Sequence, residues 1–234
     1  KLTFDGSPQG KTAWFTKPYL VAPLGQDASY SGYPAFTDAE ALKWYSMAYE
    51  NNWQMLTHTN GDAAIDQLIT IAGKTADAFP GKDRRTVMIH GQFLREDQVA
   101  AIDDLGIFPS LYPMHTFYWG DWHRDSVAGP ERAENISPTG WLLDRDIKFS
   151  IHSDAPVTFP NSMRILDSAV NRTTRSGAIL GKTQRLRPMD ALKAMTIWPA
   201  YQHFEESSKG SLEVGKVADM VVLDENPLTI DPAK

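Results

Sequence analysis

Three side chains able to bind a metal or move a proton follow short apolar segments of this sequence. His58 ends "WQMLTH", His90 lies near the end of "RTVMIHG", and Asp154 comes shortly after "KFSI". His58 and His90 are 32 residues apart, and His90 and Asp154 are 64 apart, which is twice that interval. Two neutral imidazoles and a carboxylate suit a borderline cation such as zinc. One such histidine alone is more often a structural residue, so the prediction of a metal site rests on the three together.

The segments between these residues carry the periodicity of helices. "FTDAEALKWYSMAYENN" places apolar residues on one helical face, and Thr37 with Glu40 forms a capping box at its start. Similar patterns follow the strands that contain His58 and His90. Strands that alternate with helices run parallel, and their carboxyl ends lie on one face, where a (β/α)8 barrel or a doubly wound sheet has its active site. The sequence therefore predicts an α/β fold that brings the three side chains together.

The stretch "YPMHTFYWGDWHRDS" is rich in aromatic residues and has no regular period, which predicts an irregular loop. At the mouth of a barrel such a loop would line a substrate pocket, and the alternative is a lid packed on the domain surface. We expect His115 to donate a hydrogen bond to a substrate carbonyl, with Trp119, Asp121 and Trp122 as further pocket residues. Gln92 lies in the loop after the strand that contains His90. Its side-chain amide either reaches the predicted site or makes only local contacts within the loop.

A second carboxylate, Asp62 in "HTNGDAAID", lies close to the predicted site in sequence. It could be catalytic, or it could cap the helix that follows. Its position directly before a helical pattern favours the role of N-cap, because aspartate is among the preferred residues there.

Composition limits the classes of protein to consider. With 234 residues, 42% of them hydrophobic, the chain is long enough for a large buried core. Its net charge of −6 argues against a nucleic-acid or anionic-membrane surface, which would need a basic patch. No apolar run reaches the roughly 20 residues that span a bilayer. The sequence has no cysteine, which excludes thiolate metal sites and a cysteine nucleophile but fits both cytoplasm and periplasm.

Five motifs in order run across essentially the whole chain: "KLTFDGSPQGKTA", "HTNGDAAID", "IHGQ", "HSDAPV" and "GSLEVGKVADMVVLDENP". Each alone is a weak signal, and their order makes them a strong one. With these motifs the sequence resembles the amidohydrolase superfamily, and within it amidohydrolase family 3, which includes N-substituted formamide deformylases.

The resemblance implies a (β/α)8 TIM barrel with a small β-sandwich beside it. Residues 1–205 would form the C-terminal part of the barrel, roughly strands 4 to 8, and residues 206–234 part of the sandwich, with Met220 to Leu223 as a strand. A complete barrel of about 250 residues does not fit in this length. The His-x-His pair that such enzymes carry on the first strand is absent from the sequence. We therefore expect a longer protein whose N-terminal portion supplies that pair and the first strands.

The metal ligands of the family fall on four residues when carried over by motif. His58 matches the histidine of the fifth strand, His90 that of the sixth, and Asp154 the aspartate of the eighth. Lys1 matches the lysine of the fourth strand, which is often carboxylated and bridges two metals. The resemblance thus implies one or two divalent ions, usually zinc. His152 stands where relatives often have a small residue, and the resemblance gives it no role.

The activity implied is hydrolysis of a carbon-nitrogen bond in an amide-type, non-peptide small molecule by metal-activated water, with Asp154 as general base and then general acid. The first alternative is a non-catalytic interaction or regulatory protein on the same scaffold, which the missing His-x-His pair would fit. The second is a mononuclear deaminase, but "HTNGD" lacks the glutamate that such enzymes place after the fifth strand. A homodimer is a further expectation.

Overall fold

The computed structural model describes residues 1–232 and contains one parallel β-sheet. Each strand forms hydrogen bonds with the strand that follows it in the sequence, so the spatial order equals the sequence order. Parallel neighbours require crossover connections, and helices supply them here. The five strands are β1 (Leu2–Thr3), β2 (Leu56–Thr59), β3 (Val87–His90), β4 (Phe108–Leu111) and β5 (Ser150–Ile151).

Each connection between strands contains at least one helix, and three more α-helices follow β5 within residues 1–232. The predicted capping box of the first helix is confirmed, because Thr37 and Glu40 bond each other's backbone N–H. Within residues 1–232, no helix combines the length and the apolarity that crossing a membrane takes. The α-helices are α1 (Asp38–Glu50), α2 (Asp62–Ala78), α3 (Glu96–Asp104), α4 (Met114–Trp122), α5 (Pro130–Ala133), α6 (Thr139–Leu143), α7 (Ser162–Asn171), α8 (Pro188–Met195) and α9 (Ile197–Gln202).

The main core lies between the sheet and the helices that cross over it. Helix α2 buries Ile65, Leu68 and Ile71 completely, and burial of each such side chain contributes about 1.5 to 3 kcal/mol. From α1, the buried Tyr45 hydroxyl hydrogen-bonds to the Thr57 hydroxyl of β2. These contacts hold the helices on the sheet, while the register of the strands places the side chains at its carboxyl end.

The parallel α/β sheet confirms the predicted fold class. Five parallel strands in sequence order are what strands 4 to 8 of a barrel would form. Within residues 1–232, β1 pairs only with β2 and β5 only with β4. A closed (β/α)8 barrel would need further strands between β5 and β1, and it stays a prediction.

The strand predicted at Met220 to Leu223 is wrong for the described part of the chain. Residues 206–232 contain turns and irregular backbone but no strand. Val222 is 93% exposed, and no strand among residues 1–232 pairs with it. A β-rich sequence becomes a strand only where a partner edge satisfies its backbone groups. The β-sandwich assignment for 206–234 stays a prediction, and residues 233–234 lie outside the described residues.

The aromatic stretch after β4 is not an irregular loop as predicted. Met114–Trp122 forms α4, and a π-helical turn, His123–Val127, continues it. Apolar and polar residues alternate around this helix without a single apolar face, because the protein surrounds it on several sides. A helix of this kind gives no amphipathic signal in the sequence.

Asp62 is not the N-cap of α2, which was its predicted role. Gly61 occupies the N-cap position, and Asp62 is the first helical residue. The Asp62 carboxylate instead accepts the backbone N–H of Thr16 at 2.9 Å and a hydrogen bond from Arg95 at 3.2 Å. Asp62 therefore joins α2 to the long irregular segment before α1. Its partner Thr16 is distant in the sequence, so the residues around Asp62 do not predict this contact.

Candidate metal centre

His58 and His90 meet at the carboxyl ends of neighbouring strands. His58 is the third residue of β2, His90 is the last residue of β3, and the register pairs Thr59 with His90. The two rings are perpendicular, with their centroids 4.6 Å apart. The parallel sheet thus brings these side chains together, as their positions at strand ends predict.

The chain beyond β5 adds His152 and Asp154 to the same place. The His152 N–H donates to the Leu111 carbonyl at 3.0 Å, so the pairing of β4 and β5 continues one residue further. Asp154 Oδ2 lies 3.8 Å from His90 Nε2. One ring nitrogen of His90, one of His152 and a carboxylate oxygen of Asp154 lie within 4.8 Å of one another. We call these three residues the strand-end cluster.

Two members of the strand-end cluster have left-handed backbone conformations. The φ angle is 75° at His90 and 53° at Asp154. This conformation costs an L residue about 1 to 2 kcal/mol, and aspartate tolerates it better than most. Non-glycine residues held in such conformations concentrate at functional sites. The backbone therefore supports the assignment of this cluster as a site.

Ring nitrogens around the cluster are buried without a hydrogen-bond partner among residues 1–232. They are His58 Nδ1, His90 Nδ1, His115 Nδ1 and His152 Nε2. Buried polar atoms in proteins are almost always paired. Beside these rings, His90 Nε2 lies 3.8 Å from Asp154 Oδ2, and imidazole nitrogen with carboxylate oxygen is a donor set for a divalent cation such as zinc. The residues present therefore fit a metal of this kind.

Burial sets the protonation states of the cluster. It lowers the pKa of His90 well below the usual value, and the charges of His152, His58 and Lys1 add to this effect. A neutral imidazole is the form that binds a metal. Burial raises the pKa of Asp154, and the charges of His58 and Lys1 act against the rise. A carboxyl group with a raised pKa exchanges protons closer to neutral pH, as a general base requires.

Lys1 stands directly before β1, whose Leu2 pairs with Thr57 of β2. Its charge acts on all three members of the strand-end cluster. The role of Lys1 as a fourth ligand stays a prediction.

The model of the amidohydrolase family matches residues 1–234. This chain belongs to the amidohydrolase family. It is 30% identical over 232 residues to Protein LONG AFTER FAR-RED 3 of Arabidopsis thaliana, covering 97% of this chain and 38% of that protein. It is also 30% identical over 176 residues to the N-substituted formamide deformylase of Arthrobacter pascens, covering 73% of this chain and 31% of the deformylase. The resemblance to amidohydrolase family 3 is thereby confirmed.

A solved structure has the same fold. The crystal structure of an uncharacterized metal-dependent hydrolase from Pyrococcus horikoshii OT3 superposes with a TM-score of 0.83 at 25% identity, covering 99% of this chain and 45% of that one. The chain spans less than half the length of each of these three proteins. These likenesses support a metal-dependent hydrolase.

His115 on α4 lies beside the strand-end cluster, and Trp119 packs on His115. The His115 ring is buried, with its centroid 6.0 Å from that of His90 and 4.2 Å from that of Tyr112. The indole of Trp119 packs 5.8 Å from the His115 ring. Burial lowers the pKa of His115 well below the usual value, with His123 as the next cause. A neutral His115 can donate one hydrogen bond, which its predicted role requires.

The amide of Gln92 contacts the ring of His123, which lies behind His115. Gln92 is fully buried, and its Nε2 lies 2.9 Å from His123 Nε2. The His123 ring is in turn 5.7 Å from that of His115. Gln92 Oε1 is buried without a partner among residues 1–232. Of the two interpretations of Gln92, the contacts favour a structural role behind His115.

Asp121 and Trp122 contact parts of the chain away from the strand-end cluster. Asp121 accepts hydrogen bonds from the Thr174 hydroxyl at 3.0 Å and from the Ser176 hydroxyl at 2.7 Å. Trp122 is 44% exposed, and its indole N–H donates to the Gln9 carbonyl at 3.2 Å. A substrate role for these two residues stays a prediction.

Proposed function

We propose that the protein containing this chain uses a divalent metal, zinc, to hydrolyse the carbon-nitrogen bond of an amide-type, non-peptide small molecule. His58, His90, Asp154 and a carboxylated Lys1 would hold one or two ions. The observation that carries the proposal is the meeting of His58, His90 and Asp154, in which the two rings have centroids 4.6 Å apart and Asp154 Oδ2 lies 3.8 Å from His90 Nε2.

Asp154 would perform the proton transfers. A bound divalent ion supplies Lewis acidity, which acidifies water and polarises a carbonyl. Burial raises the pKa of Asp154, so its carboxylate can take a proton from water near neutral pH. An amide nitrogen is a poor leaving group until it is protonated. The same carboxyl group would therefore return its proton to the nitrogen as the carbon-nitrogen bond breaks.

The aromatic residues of α4 would receive the substituent of the substrate. His115 would donate a hydrogen bond to a substrate carbonyl, and the indole of Trp119, which packs on His115, would form an apolar wall. Gln92, Asp121 and Trp122 would contribute to the substrate pocket from positions further from the metal ligands. A non-peptide substrate is supported by the 30% identity to a formamide deformylase.

The rest of the site would come from outside this chain. We propose that an N-terminal portion of the same protein supplies the His-x-His pair, the first strands and the partner strands of residues 206–234. Residues 1–205 would be the C-terminal part of the barrel and residues 206–234 part of the small β-sandwich. The protein would form a homodimer in the cytoplasm or periplasm, and it would bind neither nucleic acid nor membrane.

Metal analysis and an amide assay on the full-length protein test the proposal. We expect one or two zinc ions per chain and release of formate from N-benzylformamide faster than amino acids from glycylproline. Asp154→Asn should lower kcat by about 1000-fold because it removes the proton carrier. Asp144→Asn, at an exposed carboxylate after α6, is the matched control and should keep full activity.

Each contrary result points to one alternative. Faster cleavage of glycylproline would contradict the non-peptide class. A protein that binds no zinc and cleaves neither substrate would support the non-catalytic alternative. Full activity in Asp154→Asn would remove Asp154 from the mechanism while leaving the metal site to be judged by the zinc content.

A further inference from the structure

A hydrogen bond determines which ring nitrogen of His152 carries the proton. The backbone N–H of Asp154 donates to His152 Nδ1 at 3.1 Å. Nδ1 therefore presents a lone pair, and a neutral imidazole then has its hydrogen on Nε2. His152 thus has one donor, the Nε2–H group.

This tautomer does not suit a metal ligand. A ligating histidine gives the lone pair of one nitrogen to the metal and donates the N–H of the other to a carboxylate, a carbonyl or water. In His152 the Nδ1 lone pair is already used by the Asp154 N–H, and Nε2 carries the hydrogen. Ligation through Nε2 would require a hydrogen on Nδ1, where it would face the Asp154 N–H. Proximity to His90 and Asp154 alone therefore does not make His152 a ligand.

The Nε2–H group of His152 still needs an acceptor. Nε2 is buried and has no hydrogen-bond partner among residues 1–232. The Ser110 backbone contributes a weak hydrogen-bond interaction to the ring, but no partner of normal hydrogen-bond length and angle reaches Nε2 among residues 1–232. The rings beside His152 are those of His90 at 5.0 Å and of Tyr112, which is stacked at 5.4 Å. An unpaired buried N–H is rare, so an oxygen bound among these residues is the partner that completes the site.

We propose that His152 is a catalytic residue that donates its Nε2–H to the acyl oxygen of the substrate, and that it is not a metal ligand. The identity of this oxygen rests on the proposed amide hydrolysis. Negative charge grows on the acyl oxygen as water attacks the carbonyl carbon, so a fixed donor stabilises the transition state more than the ground state. The hydrogen stays on Nε2 throughout, and Asp154 remains the group that carries the proton. Stacking on Tyr112 holds the ring plane.

The first test measures metal binding without catalysis. The full-length protein is loaded with cobalt(II), whose visible spectrum changes with its ligands, and its cobalt affinity is measured by competition with a chelator. His152→Ala and His152→Gln should keep the spectrum and an affinity within about twofold of wild type. His90→Ala, the matched control at a proposed ligand, should change both. A changed spectrum with at least tenfold weaker binding in His152→Ala would show that His152 is a ligand and overturn the proposal.

The second test measures whether the His152 Nε2–H group donates a hydrogen bond to a bound oxygen. Acetohydroxamate places an oxygen on the bound cobalt, and titration of the visible spectrum gives its Kd. We expect His152→Ala to raise this Kd by about 10- to 100-fold. His152→Gln, whose side-chain amide can donate, should stay within about threefold. An unchanged Kd in His152→Ala would overturn the donor role.

Turnover separates this proposal from the proposed function. With N-benzylformamide, kcat should fall in His152→Ala and recover largely in His152→Gln. If the wild type hydrolyses no amide, the proposed function fails, and the cobalt and hydroxamate measurements still decide whether His152 is a donor.

Discussion

The carboxylate of Asp5 lies behind His58, with its Oδ1 3.6 Å from the ring Nδ1. The same carboxylate accepts the backbone N–H groups of Trp14, Asn60 and Gly61 at 2.7 to 3.0 Å, and its side chain is 0% exposed. Carboxylates often stand behind histidines that bind metals and hold the ring in position. Asp5 therefore joins the end of β2 to the irregular segment that follows β1.

We expect Asp5→Asn to destabilise the fold and weaken metal binding together. The amide offers one acceptor oxygen in place of two, and its NH2 group faces backbone N–H donors. Loss of charge-assisted hydrogen bonds and burial of unpaired donors should lower the free energy of unfolding by about 2 to 4 kcal/mol. Urea denaturation measures this change, and a chelator competition measures the zinc affinity. Asp27→Asn, an exposed position on the same segment, is the control. Equal stability of both variants would contradict the role of Asp5.

Two glycines of the α2 region should respond to alanine in opposite ways. A Cβ at Gly61 would stand 1.9 Å from the Trp14 carbonyl oxygen, a backbone atom that cannot move aside. A Cβ at Gly73, inside α2, meets only the Leu105 side chain at 3.7 Å. Gly61→Ala should therefore lower the free energy of unfolding by about 3 kcal/mol. Gly73→Ala should raise it by about 0.5 to 1 kcal/mol, because alanine favours a helix interior. Urea denaturation of both variants checks the signs, and equal changes would contradict the close approach at Gly61.

The parallel sheet could be predicted from the sequence because each strand has a local sequence pattern. Each strand is a short apolar run before a polar turn, and parallel pairing follows from the alternation with helices. Once the strands are parallel, His58, His90 and Asp154 must stand at one edge. The prediction of the candidate site therefore needed no contact between distant segments.

The features that the sequence did not predict depend on distant contacts. Asp5 takes partners at Trp14 and Asn60, 9 and 55 residues away, and no local pattern contains them. His152 looks like any polar residue after a strand until its Nδ1 is seen to accept the Asp154 N–H. Helix α4 is surrounded by protein, so its sequence lacks the one-sided apolar pattern on which helix prediction depends.

Arg172 should be essential for stability although it is remote from the proposed chemistry. Its guanidinium is fully buried and donates to the carbonyls of Leu180 at 2.7 Å, Ser137 at 3.2 Å and Ile136 at 2.7 Å. Burial lowers its pKa to about 10. Arg172→Met would leave these carbonyls unpaired and should cost about 3 to 5 kcal/mol in urea denaturation. Arg145→Met, at an exposed position after α6, should be close to wild type. Equal stability of the two variants would show that water replaces the guanidinium.

His123 should make the fold less stable in acid. Its ring is 0% exposed, and burial lowers its pKa to about 3, against about 6.5 in the unfolded chain. Between these values the unfolded chain binds a proton that the folded protein does not, so the free energy of unfolding falls as the pH falls. His123 accounts for a loss of about 2 kcal/mol between pH 7.5 and pH 5.

His123→Gln should remove this part of the pH dependence. Urea denaturation of wild type and variant at pH 7.5 gives the structural cost of the substitution, which includes the altered contact with Gln92. The same comparison at pH 5 adds the protonation effect. We expect the difference between wild type and variant to shift by about 2 kcal/mol in favour of the variant at the lower pH. A constant difference at both pH values would mean that the His123 ring reaches water in the folded protein, because only a hydrated imidazole could take up the proton at pH 5 without opposing the fold.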